Sequence, residues 1–326
     1  MKQPRTTLGV MILLAVCCVP GCATGGGGGG DEQSSSSESS SSVSPTASTG
    51  RVLICDTPEP DTGTMNFLAS EFAAFGRASR SQQTSGSSRI ATVPVYFHVI
   101  SKGSSFADGE VPDAMLVEQV DILNRAYSGE TGGLRTPFRF ELAGINRVRN
   151  ANWHVMSPGS ESELEAKQEL RIGGADALNI FLVDIVPGGG IEGKILGYAS
   201  LPVFYGLIAP FDGIVINFNA LPGGPLAHYN TGHVTVHEVG HWLGLLHTFQ
   251  GECDGFFNDL VLDTPAEKTP GQGDFCPLGR DTCPGEGVDP IHNHMTYTAD
   301  ECRTEFTQGQ VDFMIFNSTV FRNLFL

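Results

Sequence analysis

Three histidines and a glutamate have the spacing of a catalytic metal centre in the sequence HEVGHWLGLLH, which begins at His237. His237 and His241 are four residues apart, so on a helix both imidazoles project from one face. Gly244 in a left-handed backbone conformation would end the helix and let His247 reach the same metal. Three neutral imidazoles leave a tetrahedral zinc ion one open position, which is typical of catalytic zinc. Glu238 can reach a metal-bound water without coordinating the ion.

A helix with incidental histidines is the alternative interpretation. The chain holds nine histidines in 326 residues. A chance placement of this whole pattern has a probability of about 10⁻⁴ or less. The pattern therefore favours a zinc site.

The elements that position this segment are predicted from the apolar pattern. Apolar or alternating runs predict strands over residues 91–100, 138–148, 177–186, 195–204 and 213–218. Pro202 makes the fourth of these suitable for a sheet edge. Helical spacing predicts helices over 65–75 and 112–127, with apolar faces formed by Phe67, Leu68, Phe72 and Phe75, and by Met115, Val117, Val120, Ile122 and Leu123. Strands with helices predict a layered α/β or α+β domain.

Composition limits the class of protein. Hydrophobic residues make up 40% of the chain, which is enough for a buried core. The 19 Lys and Arg against 36 Asp and Glu give a formal net charge of −17 at pH 7. Such a negative field repels phosphate backbones, so we expect no nucleic-acid partner.

The N-terminal region predicts export. Residues 1–21 have a basic start and an apolar run too short to span a bilayer, as in a signal peptide. The run ends in Val-Pro-Gly before Cys22, which resembles a bacterial lipobox and would make Cys22 a lipidated anchor. An ordinary secretory signal is the alternative. Residues 22–50 are Gly/Ser-rich and predict a flexible tether. We therefore expect an outer-membrane or cell-surface lipoprotein, exported from a bacterial cell and released as a secreted mature enzyme.

Two further segments complete the predicted organisation. Residues 51–89 are polar with one helical stretch, and we interpret them as a pro-segment that ends in a loop accessible to proteases near Arg80 or Arg89. Residues 90–326 have the apolar pattern of a globular domain, and we interpret them as the catalytic domain. Cleavage in the loop would free the mature enzyme from its tether.

The zinc pattern followed by Met295 resembles the metzincin metalloproteases. The sequence HEVGHWLGLLHTFQ and the tail from Met295 to Gln310 are similar to the pappalysin family, including ulilysin-like, cytophagalysin-like and fungal secreted members. The resemblance covers residues 90–326 and is most specific over 231–310.

The resemblance implies an α+β metzincin fold. Its upper subdomain would hold a twisted mixed five-stranded sheet and two long helices, with the active-site helix over 231–243. The antiparallel edge strand over 195–204 would pair with an extended substrate. The lower subdomain would be irregular and disulfide-stapled, with a Met-turn at Met295 and a final helix over 307–324.

The resemblance also implies a zinc-dependent endopeptidase. Zinc would lower the pKa of its bound water, and Glu238 would accept the proton and pass it to the leaving amine. Tyr297 would ligate zinc at rest or bond the tetrahedral intermediate, with a plain core tyrosine as the alternative. Met295 would pack under the histidines without binding metal.

The cysteines divide into groups. Four late cysteines in an exported chain predict two disulfides, and the sequence leaves three pairings open. The resemblance implies the pairs Cys253–Cys283 and Cys276–Cys302, while a zinc-binding quartet is the rival. Cys55 stands alone, and as a thiolate it can fill the open zinc position as a cysteine switch. A leftover or intermolecular cysteine is the alternative.

Acidic residues near the zinc motif suggest two further sites. Asp254, Asp259 and Asp263 suit a calcium ion, as relatives bind in this neighbourhood, or are plain solvated acids. Glu301 would lie in the primary specificity pocket and favour a basic P1′ residue. We expect a monomer that acts on protein or peptide substrates. The alternative functions are a catalytically silent surface protein that binds polypeptides and a structural envelope lipoprotein.

Overall fold

The computed structural model describes residues 52–81, 90–187, 194–253, 259–271, 275–283, 285 and 287–325. The chain divides into units of residues 1–48 and 49–326, and all described residues lie in the second. The signal peptide, the tether and Cys22 lie outside the described residues, as do Arg89 and Asp254. No helix among the described residues is both long and apolar enough to cross a bilayer.

A mixed sheet forms the centre of the upper subdomain. Its strands within the described residues are β1 Val52–Cys55, β2 Ala91–Ser101, β3 Phe138–Arg149, β4 Val155–Met156, β5 Leu178–Ile185, β6 Lys194–Ala199 and β7 Ile214–Asn217. Their order is β1-β6-β7-β5-β2-β3, and β4 pairs with β5. All pairs are parallel except β6 with β7. The expected five-stranded mixed sheet is confirmed, and β1 and β4 extend it to seven strands.

Helices cover both faces of this sheet. They are α1 Thr62–Ser81, α2 Asp113–Tyr127, α3 Ala151–His154, α4 Glu161–Leu170, α5 Tyr205–Ile208, α6 His233–Trp242 and α7 Gln308–Phe321. Ile180 of β5 belongs to the core cluster that contains α2 and α6, whereas Phe181 belongs to the cluster that contains α4. Because both faces are covered, β5 is buried at nearly every position. The predicted strands at 91–100, 138–148, 177–186 and 213–218 and the helices at 112–127, 231–243 and 307–324 all form, with small shifts at their ends.

The strand predicted over 195–204 is wrong in length and position. Strand β6 ends at Ala199, and Pro202–Phe204 forms a 3₁₀ turn that has Pro202 at its first position. A proline lacks the amide proton that a strand ladder needs, but it suits the start of a helical turn. The strand is not at the sheet edge either, because β1 pairs with it in parallel, with Cys55 opposite Gly197.

Two apolar faces also differ from the prediction. On α1, Leu68 is buried while Phe67 is 47% exposed. On α2, Leu116 is fully buried while Val117 is 48% exposed. In each helix the buried residues recur three or four positions apart, and the exposed residue lies about 100° away from them.

Helix α1 packs on the final helix through aromatic rings. The Phe72 ring lies 5.0 Å from that of Phe313 and 5.5 Å from that of Phe316. Phe75 lies 5.6 Å from Phe316. The segment before residue 82 is thus held against the catalytic domain by a strand and a helix.

Disulfides hold the irregular lower subdomain. Cys253 is bonded to Cys283, and Cys276 to Cys302, with Cα–Cα distances of 5.4 Å. These are the pairs that the resemblance implies, so the four thiols are not free to form a zinc quartet. His292 lies near the second disulfide, and its Nδ1 is hydrogen-bonded to the Cys302 carbonyl.

Candidate metal centre and active site

Helix α6 brings two imidazoles together inside the protein. His237 and His241 are buried, and their Nε2 atoms lie 3.1 Å apart. The Nδ1 of His237 is 2.7 Å from the carbonyl of His294, and that of His241 is 2.8 Å from the carbonyl of Leu245. A carbonyl only accepts hydrogen bonds, so each Nδ1 carries the proton and each Nε2 presents a lone pair.

The third imidazole arrives after a sharp turn. Helix α6 ends at Trp242, and Gly244 has φ +105°, a left-handed conformation that favours glycine. A Cβ at Gly244 would lie 2.3 Å from the Asn317 side chain, so the close approach of α7 also requires glycine. The turn places the Nε2 of His247 3.0 Å from that of His241.

The three imidazoles fit a zinc ion. Nitrogen ligands at about 2.0–2.1 Å from tetrahedral zinc are separated by roughly 3.3 Å, close to the observed spacing. Burial lowers the pKa of His237 and His247 well below the usual value, and that of His241 to about 4. Neutral imidazoles with inward lone pairs are the form that binds metal.

A thiol completes the donor set. The Sγ of Cys55 lies in one cluster with the three imidazoles, and the four ligand atoms are within 4.8 Å of one another. Cys55 is free and buried. Three nitrogen donors and one sulfur donor are a ligand set that suits zinc.

Glu238 lies fully buried beside this cluster. Its Oε2 is 3.4 Å from the Cys55 Sγ and accepts a hydrogen bond of 3.2 Å from the Thr57 hydroxyl. Burial raises the pKa of Glu238 to about 8. The backbone of β6 lies close by, since a Cβ on Gly197 would be 2.7 Å from the Glu238 Cγ.

Thr57 is a contact residue that the sequence analysis missed. Its hydroxyl donates to Glu238 and accepts from the amide of Ala199 at 2.8 Å, so it joins the β1 segment to both α6 and β6. No motif marks this threonine. Thr57 lies two residues after Cys55, and in an extended chain alternate side chains point to the same side. This spacing is the sequence signal that could have placed Thr57 near the metal centre.

The methionine turn lies beneath the histidines. Met295 is fully buried, and a Cβ on Gly240 would be 2.5 Å from its Sδ, so glycine at 240 makes room for the sulfur. Tyr297 is also buried, and its hydroxyl is 3.1 Å from the His247 Nε2. The same hydroxyl donates to the carbonyl of Cys55 at 2.9 Å.

Two of the three aspartates expected to bind calcium, Asp259 and Asp263, lie within the described residues, and they make different contacts. Asp263 accepts hydrogen bonds from the Thr307 hydroxyl at 2.8 Å and the Gly309 amide at 2.9 Å, so it caps α7. Asp259 is buried and accepts from the Val261 amide. Within the described residues, neither belongs to a cluster of three or more metal-binding side chains.

Glu301 and its neighbour Asp300 face different environments. The Glu301 side chain is 50% exposed, and its Oε1 is 2.9 Å from the His228 Nδ1. Asp300 is buried, accepts from the amide and hydroxyl of Thr231 at the start of the α6 segment, and pairs with Arg303. Asp300 is therefore a buried acidic residue that holds the start of the α6 segment, whereas Glu301 is half-exposed.

Comparisons with known proteins agree with this arrangement. Residues 178–317 match the family model Peptidase_M43, described as pregnancy-associated plasma protein-A. An extracellular metalloprotease of Sordaria macrospora is 42% identical over 222 residues, which cover 67% of this chain and 71% of the relative.

Solved structures are similar as well. Mature mirolysin of Tannerella forsythia in complex with a cleaved peptide is 26% identical with a TM-score of 0.56, covering 72% of this chain and 94% of that one. A promirolysin of the same organism, at 22% identity and a TM-score of 0.61, has the same fold over 82% of this chain and 95% of that one.

Proposed function

The chain belongs to the pregnancy-associated plasma protein-A family of metallopeptidases and is a zinc metalloendopeptidase, and we propose that His237, His241 and His247 hold the zinc while Glu238 is the catalytic base. The observation that supports this most is the convergence of three inward Nε2 atoms beside a buried carboxylate. Zinc bound there supplies Lewis acidity, which polarises a peptide carbonyl and makes a water molecule acidic near neutral pH.

Glu238 moves the proton in the proposed reaction. Its carboxylate accepts a proton from the attacking water and donates it to the amide nitrogen that leaves. The carboxylate is not a metal ligand in this proposal, so it stays free for proton transfer. Its buried position raises its pKa, which brings its basicity closer to neutral pH.

Tyr297 is proposed to stabilise the transition state. Its hydroxyl lies within hydrogen-bonding distance of His247 and therefore at the edge of the metal centre. A phenol there can donate a hydrogen bond to the oxygen that becomes negatively charged on the substrate. In the described structure the Cys55 carbonyl accepts this bond.

The segment before residue 82 is proposed to keep the enzyme latent. Its β1 strand occupies the edge of β6, where an extended substrate would pair, and Cys55 supplies a fourth donor to the metal centre. Thr57 contacts the proposed base. Cleavage near residues 80–89, followed by loss of the segment, would open the cleft.

Export, attachment and specificity are part of the same proposal. The predicted signal peptide and the extracellular relatives favour an exported peptidase that acts on proteins or peptides. Cys22 would anchor the latent form to a membrane, and activation would release a monomeric enzyme. Glu301 would favour a basic P1′ residue, and calcium would bind near Asp254, Asp259 and Asp263.

A peptide library tests the peptidase function. The full chain and its Glu238→Ala variant are treated with limiting trypsin, the trypsin is blocked, and both are incubated with a proteome-derived library. Cuts made by the unsubstituted chain alone are expected, because Glu238 supplies the base. If a folded, zinc-loaded chain cuts nothing, the alternative of a silent polypeptide-binding protein is favoured. The P1′ residues of the cut sites test the role of Glu301.

A second comparison tests latency. The uncleaved Cys55→Ser chain is expected to cut peptides faster than the uncleaved natural chain, because serine is a poor zinc ligand. The Thr64→Ala chain, altered at the start of α1, is the matched control and is expected to stay latent. Equal latency of the Cys55→Ser chain and the natural chain would argue against a cysteine switch.

A further inference from the structure

The third histidine needs restraints that its own helix does not supply. Helix α6 ends at Trp242, so His247 stands in a loop beyond the Gly244 turn. Its ring stacks on Phe249 at 4.6 Å and meets the Tyr297 ring edge-on at 5.1 Å. These contacts orient the His247 ring, but they do not hold the backbone of its loop against the methionine turn.

A buried carboxylate joins those two segments. The Glu267 side chain has no exposed surface. Its Oε2 accepts a hydrogen bond of 2.8 Å from the hydroxyl of Thr248 and one of 2.9 Å from the hydroxyl of Thr296. Thr248 follows His247 directly, and Thr296 precedes Tyr297. One carboxylate therefore binds the neighbour of a proposed ligand and the neighbour of the proposed transition-state donor.

The backbone reinforces this link. The Thr248 amide donates to the Met295 carbonyl at 3.3 Å, so the two segments are also joined directly. Removing the carboxylate would leave that long bond and the side-chain contacts of Tyr297 with His247. A buried, fully hydrogen-bonded network of this kind fixes geometry more firmly than isolated bonds do.

Arg280 is the charged partner of the buried carboxylate. Its Nη1 donates to the Glu267 Oε1 at 2.9 Å and also pairs with Asp289. Asp289 in turn accepts from the amide and hydroxyl of Thr282 at 2.9 Å. A buried carboxylate without such a partner would be strongly destabilising. The guanidinium therefore stabilises Glu267 through Oε1.

We infer that Glu267 is a positioning residue, which holds the His247 loop against the methionine turn and so sets the geometry of the metal centre. This inference rests on the proposed zinc site. Within the described residues the hydrogen bonds and ion pair of the Glu267 side chain are with Thr248, Thr296 and Arg280, so it acts on the metal centre through the two threonines. Partners that orient metal ligands typically change metal affinity by 10–100-fold when removed.

Zinc affinity of the full chain tests the inference. The dissociation constant is measured by competition with a chelator for the Thr248→Val, Thr296→Val and Glu267→Gln chains. Each is expected to bind zinc roughly 10–100-fold more weakly. The Thr248→Ser and Thr296→Ser chains keep the hydroxyl and are expected to restore affinity. Cys55 is unchanged in all of them, so ratios report on the histidine side of the site.

Thr282→Val is the matched control. The substitution removes the hydrogen bonds that the Thr282 hydroxyl donates to Asp289 and the one it accepts from the Lys268 amide, and Thr282 lies in neither of the two segments that Glu267 joins. We expect a comparable loss of thermal stability with zinc affinity unchanged. The inference is overturned if the Thr248→Val and Thr296→Val chains keep their zinc affinity, or if Thr282→Val weakens it equally. Should Glu267→Gln fail to fold, the two threonine variants still decide.

The test is independent of peptide cleavage. If the variants show these affinity shifts but the trypsin-activated natural chain cuts no peptide, the proposed peptidase function is refuted and the positioning role stands. If the trypsin-activated natural chain cuts peptides but the variants show no affinity shifts, the positioning role alone is refuted.

Discussion

Replacing Gly197 by alanine should disable the proposed base while sparing the metal site. The new Cβ would lie 2.7 Å from the Glu238 Cγ and 2.8 Å from its Oε1, whereas ordinary contacts lie at 3.4–4 Å. Strand β6 is hydrogen-bonded in the sheet, so the flexible Glu238 side chain takes up most of the shift of about 1 Å. A misplacement of about 1 Å can cost a reaction 10²-fold. That loss in kcat/KM corresponds to about 2.7 kcal/mol of transition-state stabilisation.

The assay compares casein hydrolysis by the trypsin-activated chains with their zinc content. For Gly197→Ala we expect about 10²-fold lower kcat/KM and one bound zinc per chain, because the three imidazoles are not displaced. Gly206→Ala is the matched control, since a Cβ there meets nothing within 4 Å. Unchanged activity of Gly197→Ala would refute the placement of Glu238 against β6. Loss of zinc would show that the substitution acts on the ligands instead.

Three further predictions concern stability. Arg322→Met leaves the buried Asp212 carboxylate with weaker partners such as Arg171, at 3.5 Å, and the Trp242 indole, and should lower the free energy of unfolding at pH 7 by about 3 kcal/mol, measured with denaturant. Burial raises the pKa of Asp212, but Arg322, Trp242 and Arg171 together outweigh burial and hold that pKa below the usual value. The difference in unfolding free energy between the two chains should therefore shrink as pH falls towards and below about 4, and a constant difference would contradict this pairing. Burial raises the pKa of Asp259 to about 8, so with calcium removed by a chelator the natural chain should lose stability as pH rises towards 8. Asp259→Asn should then be the more stable chain in thermal melts, and added calcium should reverse that order if it binds at the proposed site. Replacing both Cys253 and Cys283 by serine should lower the free energy of unfolding by about 3–4 kcal/mol, because the disulfide no longer constrains the unfolded chain. An unchanged melting temperature would contradict this.

The zinc motif and most of the sheet could be predicted from the sequence. Helix geometry alone places His237 and His241 on one face, where they can share a metal ion. Gly244 indicates where that helix ends. Strands such as β5 are long apolar runs, whose burial follows from composition alone. In these cases the signal lies within about ten consecutive residues.

Other features could not be predicted because they depend on residues far apart in the chain. The sequence of β6 shows a strand but not that Val52–Cys55 covers its edge. Thr57 has no motif and gains its place only through contacts with β6 and α6. Glu267 looks like one more loop acid among 36 acidic residues until its two threonine partners are seen.

The stretch from Cys55 to Thr57 is expected to make activation of the latent enzyme cooperative. Within three residues it contacts the metal cluster through Sγ, Tyr297 through a carbonyl and Glu238 through a hydroxyl. So short a stretch of chain cannot leave one of these groups while staying on the others. Release is therefore expected to be all-or-none, with no partly active intermediate, and a population of molecules should show a steep rather than gradual onset of activity.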